Sequence, residues 1–205
     1  EKAARDYFTL SLAYLSPPPA PTLIVTCGLM GSGKSFLAEK LGLRLGIQPL
    51  RSDVIRKEIY SVPQGEHRLD KYGKGLYSSN ATEVTYDALF ERARRALSAG
   101  EWVILDASFM RRTERDRAMR LAQETGSGFR ILECAGPDRV LLSRLTQRME
   151  QAEDPSDGRT DLFTAQKRRF EPVTDDQTPF CRTWDSTSEH SPFLTEFVRE
   201  LMVTR

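Results

Sequence analysis

The chain has 205 residues, of which 39% are hydrophobic and 29% charged, and its net charge is +1. These values suit about one globular domain and exclude both a disordered polypeptide and one drawn to nucleic acid by its overall charge. The three cysteines, Cys27, Cys134 and Cys181, are odd in number and lack CxxC spacing, which argues against a disulfide framework or zinc site and for a reducing, cytoplasmic setting. No run of about 18 apolar residues occurs and the first ten residues carry four charges, so neither a membrane span nor a signal peptide is expected.

Residues 1–15 place Ala4, Phe8, Leu12 and Leu15 on one helical face, and the run SPPPAP at 16–21 then interrupts the pattern. A helix and stiff linker over 1–21 are therefore expected ahead of a main domain over 22–205. The helix reads either as the end of a preceding domain of a longer polypeptide or as an ordinary element packed on the core. Short β-branched runs then predict strands at 23–27, 102–106 and 129–134, with weaker ones at 49–52 and 182–185. Between them helical periodicity predicts helices over 34–45, 53–60, 80–98, 112–125, 137–151, 162–170 and 191–203, with Gly100 and Gly126 as C-terminal stops and Thr113 as an N-cap. Strand and helix alternate, which predicts βαβ units and an α/β domain around a parallel sheet. The polar segment around 150–161, with Pro155 and Gly158 between two helices, is expected to form a lid.

The segment GLMGSGKS at 28–35 matches GxxxxGK[ST], directly after the first apolar strand and opening the helix that contains Phe36, Leu37 and Leu41. Glycines allow the chain to turn so that successive N–H groups of Leu29, Met30, Gly31, Ser32, Gly33, Lys34, Ser35 and Phe36 can surround phosphates at the positive end of the helix dipole. Lys34 is then expected to reach the β- and γ-phosphates of ATP, and the Ser35 hydroxyl to ligate Mg²⁺.

The acceptor side is read outside this loop. Asp53 and Arg56, three apart at the start of the second helix, read either as a general base with a guanidinium for an anionic group or as an N-cap aspartate with a solvated arginine. Asp106 ends the apolar run VILD, as expected of a carboxylate that steers the hydration shell of Mg²⁺; its competing roles are capping the next turn or touching the acceptor. Arg144 and Arg148 lie four apart on one helix and Arg159 lies in the lid. They read either as cations closing over the γ-phosphate, Arg144 also as a partner for adenine, or as a solvated face. Arg112 and Arg115, interleaved with Glu114 and Asp116, read as a salt-bridged helix face or as binders of an anionic acceptor. The segment YGKGLY, from Tyr72 to Tyr77, reads as an acceptor clamp or a surface turn, and His67 and His190 show no metal-binding pattern.

The ordered set GLMGSGKS, RSDVIRKEIYS, VILDASFMRRTERDRAMRLA, ILECAGPDRVLLSRLTQR, DPSDGRTD, and the trio Gln166, Glu171 and Pro172 resembles the AAA_33 and zeta-toxin-like P-loop kinases, relatives of gluconate kinase and of polynucleotide 5′-kinase domains. The likeness runs over residues 22–185 and is strongest to kinase-like domains that follow an aminoglycoside-phosphotransferase-like N-terminal half. It implies five parallel strands in the order 2-3-1-4-5, ATP and Mg²⁺ at 28–35, a lid near 150–161, Asp53 as general base and Arg56 as the arginine for an acceptor phosphate. The chain departs from the pattern at Phe36, where threonine is common, and at Gly158, where alanine is usual. The acceptor stays open between a small hydroxylated compound and a 5′-hydroxyl nucleic acid. A nucleotide-sensing module without transfer is the reading of another class, and the absence of an NKxD tetrapeptide counts against a GTPase switch.

Overall fold

The computed structural model describes residues 20–63, 78–151 and 158–203. The helix expected at 1–15, the segment from Tyr72 to Tyr77, His67 and residues 152–157 of the expected lid lie outside them. In chain order the elements are β1 (Thr22–Cys27), α1 (Lys34–Leu45), β2 (Leu50–Arg51), α2 (Ser52–Ile59), α3 (Ser79–Ser98), β3 (Val103–Asp106), α4 (Arg112–Glu124), β4 (Gly128–Ala135), α5 (Asp138–Gln151), α6 (Gly158–Arg169), β5 (Cys181–Asp185) and α7 (His190–Val203). The five strands form one parallel sheet in the order β2-β3-β1-β4-β5, as the sequence resemblance implies.

Side chains of a strand point alternately to the two faces, and β1 is covered on both, which is why all of it is buried, Thr22 and Thr26 included. Leu23, Val25 and Cys27 pack with Leu89, Phe90 and Leu97 of α3 and Ala118 and Leu121 of α4. On the opposite face Ile24 packs with Leu37 and Leu41 of α1 and with Leu194 and Phe197 of α7. A third, smaller cluster joins Leu141 and Leu145 of α5 to Phe163 of α6, with Leu29 and Met30 packed against it. The α5 and α6 pair is thereby held against the loop that follows β1.

Element bounds agree with expectation to within about one residue, except for the cap of α4 and the start of α6. Thr113 does not cap α4: the helix begins at Arg112, and the Glu114 carboxylate accepts the Arg111 N–H at 3.2 Å while Glu171 accepts the Arg112 N–H at 2.6 Å. Orphan first-turn amides are met from Glu114 and from a residue distant in sequence, so the threonine is not needed there. Helix α6 is already formed at Gly158, four residues ahead of the expected 162. Gly100 and Gly126 follow α3 and α4 with φ of 84° and 64°, the left-handed geometry that ends helices.

Candidate functional site

Because all strands run the same way, their carboxyl ends share one edge of the sheet, and the loops there collect the candidate residues. Residues 28–33 leave the end of β1 and turn into α1. Gly28 has φ 139° and donates its N–H to Ser108 O at 3.1 Å; a Cβ there would lie 2.3 Å from Cys134 O. Gly31 has φ 77°, and a Cβ on it would lie 2.5 Å from Leu141 O of α5. The loop thus passes too close to two neighbouring main chains for any side chain at either position.

The N-cap of helix α1 is Gly33. Among the described residues no side chain caps this helix start and no acid stands in its first turn against the positive end of the dipole, the arrangement that binds phosphate. Lys34 Nζ donates to Leu29 O at 2.8 Å, folding the ammonium back over the loop. Ser35 is exposed, while Ser32 is fully buried with no partner for its hydroxyl among the described residues.

The carboxylates stand where the next two strands end: Asp106 closes β3, and Asp53 lies at the start of the helix after β2. In the register Arg51 lies opposite Asp106, and Val25 opposite Leu105, so Asp106 ends β3 beside the strand that feeds the loop. Asp106 is 6% exposed and takes a salt bridge from Arg51 Nε at 3.3 Å, a pairing that sequence periodicity could not show. Asp53 sits in the first turn of α2 with its side chain half-exposed, and Arg56 Nη1 lies 3.9 Å from its carboxylate. The N-cap of α2 is Arg51, not Asp53, and Arg56 is buried rather than solvated, so the capping reading of this pair does not hold.

Two more candidates, Arg144 and Phe36, lie on the side of the loop that faces Trp184. Arg144 of α5 donates to Gly31 O at 3.4 Å and Ser186 O at 2.6 Å, joining the loop to the segment after β5. Phe36 stacks on Trp184 at 6.5 Å and meets His190 edge-on at 4.9 Å. The backbones of Arg148 and Arg159 lie on α5 and α6; their side chains are outside the description. Sequence reading assigned no role to Gln166, whose Oε1 accepts the Met30 N–H at 2.6 Å. Its only prior signal was its place in the glutamine, glutamate and proline trio.

Two arginines divide. Arg112 is on a salt-bridged face, pairing with Asp116 at 3.4 Å and Asp176 at 2.8 Å. Arg115 is neither a surface pair nor an anion binder: it is fully buried and donates to Gln177 Oε1, Phe109 O, Met110 O and Pro172 O. It ties the turn after β3 to the segment after α6. Cys27 and Cys134 flank the loop, and burial pushes both thiols up to about 12, which removes them as nucleophiles.

The residues present fit a nucleotide triphosphate, on the evidence of an uncapped helix start and a loop whose space a Cβ would fill. Among the described residues no group of three or more His, Cys, Asp or Glu could hold a metal by itself. Ser35 and Asp106 suit a Mg²⁺ that takes its remaining ligands from phosphates and water, the usual manner of that ion. No described helix is long and apolar enough to cross a membrane.

Residues 23–173 match the AAA_33 family, an AAA domain. An uncharacterized protein of Mycobacterium tuberculosis is 30% identical over 128 residues, 62% of this chain and 25% of that protein. The chain thus spans about a quarter of the length of the curated relatives it matches. Among solved structures, a gluconokinase from Sinorhizobium meliloti aligns with a TM-score of 0.58 and 22% identity, covering 90% of this chain and 91% of that one. The APS kinase CysC of Mycobacterium tuberculosis, in complex with AMPPNP and APS, aligns at 0.59 and 18%, covering 91% and 100%. Kti12 of Chaetomium thermophilum, in complex with ADP-AlF3, aligns at 0.61 and 18%, covering 89% and 100%. At these identities the likeness is one of fold.

Proposed function

The chain belongs to the AAA_33 family and carries a P-loop kinase-like fold, and from that premise we propose that it is a phosphotransferase that moves the γ-phosphoryl group of ATP to a hydroxyl. The observation that supports this most is the coincidence, on one sheet edge, of an uncapped helix start behind a glycine loop and an exposed carboxylate, Asp53, one strand beyond Asp106. Met30 and Ser32 donate their N–H groups to Gln166 Oε1 and Leu29 O; the remaining amides of 29–36 and Lys34 hold the phosphates, and Arg144 stands beside the nucleotide, where the arginine contacts both Gly31 and Ser186. The acceptor oxygen bonds to the γ-phosphorus as the bond to the β–γ bridging oxygen breaks, and Asp53 takes the hydroxyl proton. Arg56 holds an anionic part of the acceptor or the phosphoryl in flight, and Arg148 and Arg159 add positive charge from the lid side. Ser35 and Asp106 would hold Mg²⁺, which neutralises charge on the phosphates when bound.

The acceptor is either a small hydroxylated compound or a 5′-hydroxyl nucleic acid, and we also propose an aminoglycoside-phosphotransferase-like domain ahead of residue 22 and a cytoplasmic site of action. Transfer of label from γ-labelled ATP to the acceptor is to be followed across nucleosides, 5′-hydroxyl oligonucleotides, sugars and aminoglycosides. Asp53→Ala should keep nucleotide affinity and lose at least ~100-fold in transfer, the scale of a lost general base. Lys34→Ala should lose both. A parent protein that binds ATP and transfers to none of these acceptors would instead be a nucleotide-sensing module.

A further inference from the structure

The peptide unit between Leu29 and Met30 is held from both ends by side chains distant from one another. Its carbonyl accepts from Lys34 Nζ at 2.8 Å, and its N–H donates to Gln166 Oε1 at 2.6 Å. In a trans peptide these two groups point in opposite directions, so the lysine grips one side of the plane and the glutamine the other. No peptide bond among the described residues is cis. A backbone N–H can only donate, so the carboxamide is oriented unambiguously with its oxygen toward the loop.

Gln166 reaches this position on a rigid support. It is 8% exposed and stands on α6, three residues after Phe163, which is buried against Leu141 and Leu145 of α5. Lys167, the next residue, pairs with Asp138 at the start of α5. The same pair of helices meets the loop again at Gly31, through Leu141 O and the Arg144 guanidinium. Rotation of the Leu29–Met30 peptide would break the glutamine bond and move the carbonyl from the lysine at once.

We propose that Gln166 is a positioning residue that fixes the Leu29–Met30 peptide so that its carbonyl aims the Lys34 ammonium, which makes the lysine's grip on the outer phosphates depend on α6 being seated on the loop. The inference rests on the phosphotransferase reading of this site and adds a residue that reading does not use. Its consequence is selective. A misaimed lysine weakens ATP, which presents β- and γ-phosphates to it, more than ADP, which lacks the γ-phosphate.

The test uses Gln166→Met, close in shape but without a strong acceptor, and Gln166→Glu, whose carboxylate still accepts the Met30 N–H. Affinities for Mg²⁺ with a non-hydrolysable ATP analogue, and for ADP, are measured by calorimetry, and protection of the Met30 amide by hydrogen exchange. Gln166→Met is expected to lose about tenfold for the analogue and less than about threefold for ADP, with a thermal midpoint lowered by no more than about 4 °C and Met30 protection lost. Gln166→Glu is expected to retain that protection. An unchanged ratio of the two affinities in folded Gln166→Met, or a Met30 amide equally protected there, overturns the proposal. If Gln166→Met does not fold, loss of Met30 protection in Gln166→Glu overturns it and retention supports it. A parent that binds neither nucleotide removes the phosphotransferase reading itself, and this inference with it.

Discussion

Replacing Arg115 by methionine should destabilise the protein by about 3 kcal/mol, because it strips a buried donor from four acceptors at once. The guanidinium is fully buried and serves Gln177 Oε1 at 2.8 Å, Pro172 O at 2.8 Å, Phe109 O at 3.0 Å and Met110 O at 3.3 Å. Each buried acceptor left unmet costs roughly 1–3 kcal/mol. Two effects reduce the sum: carbonyls tolerate partial satisfaction, Phe109 O also accepting from Cys27 Sγ, and removal of a desolvated cation returns part of its hydration penalty. A remainder of about 3 kcal/mol is a large share of the roughly 5–15 kcal/mol that holds such a domain folded. With a urea dependence of about 2 kcal/mol per molar, the unfolding midpoint should fall by ~1.5 M, read from the fluorescence of Trp102 and Trp184. Since Ser108 O of the same turn receives the Gly28 N–H, nucleotide affinity should weaken as well. An unchanged or raised midpoint would refute the reasoning, showing that the cost of burying the cation exceeds what its hydrogen bonds return.

Gly31→Ala must place a Cβ 2.5 Å from Leu141 O at φ 77°, a left-handed geometry that alone costs alanine roughly 1–2 kcal/mol; nucleotide affinity should fall at least ~tenfold, and a parent-like titration would show that the loop does not hold phosphate in this conformation. Asp106→Asn should raise the Mg²⁺ concentration needed for half-maximal binding of an ATP analogue by about tenfold, and an unaltered Mg²⁺ dependence would leave Asp106 with only its Arg51 salt bridge. With thiols pushed by burial to about 12, Cys27 and Cys134 should be thiolate in only about one molecule in 10⁴ at pH 8, and should react with a disulfide reagent only on unfolding; rapid labelling of the native protein would contradict this. The folded state holds these protons more tightly than the unfolded one, whose thiols titrate near the usual 9.0, so stability present below that pH should be lost as pH rises toward about 12, read from urea midpoints across that range.

The parts of the site that were legible in the sequence are those whose chemistry is local. Residues 28–35 announce themselves because the turn, the approach to neighbouring main chain and the start of α1 are all specified within one short segment of chain. Asp106 was found because it ends a strand and Asp53 because it opens the helix that directly follows one, and in a parallel sheet strand ends share an edge. Alternation of strands and helices was enough for the fold class, and the family likeness for the strand order.

What the residues by themselves determined, then, is the sheet, the glycine turn after β1 and the carboxylates on the same edge. Only the packed structure decided that Arg115 is an internal brace, that Arg51 covers Asp106, that Arg144 spans two loops and that Gln166 reaches Met30 from 136 positions away. Periodicity tells which face of a helix turns inward but not which atoms await it there, because hydrogen-bond partners are chosen by the docking of elements far apart in the chain.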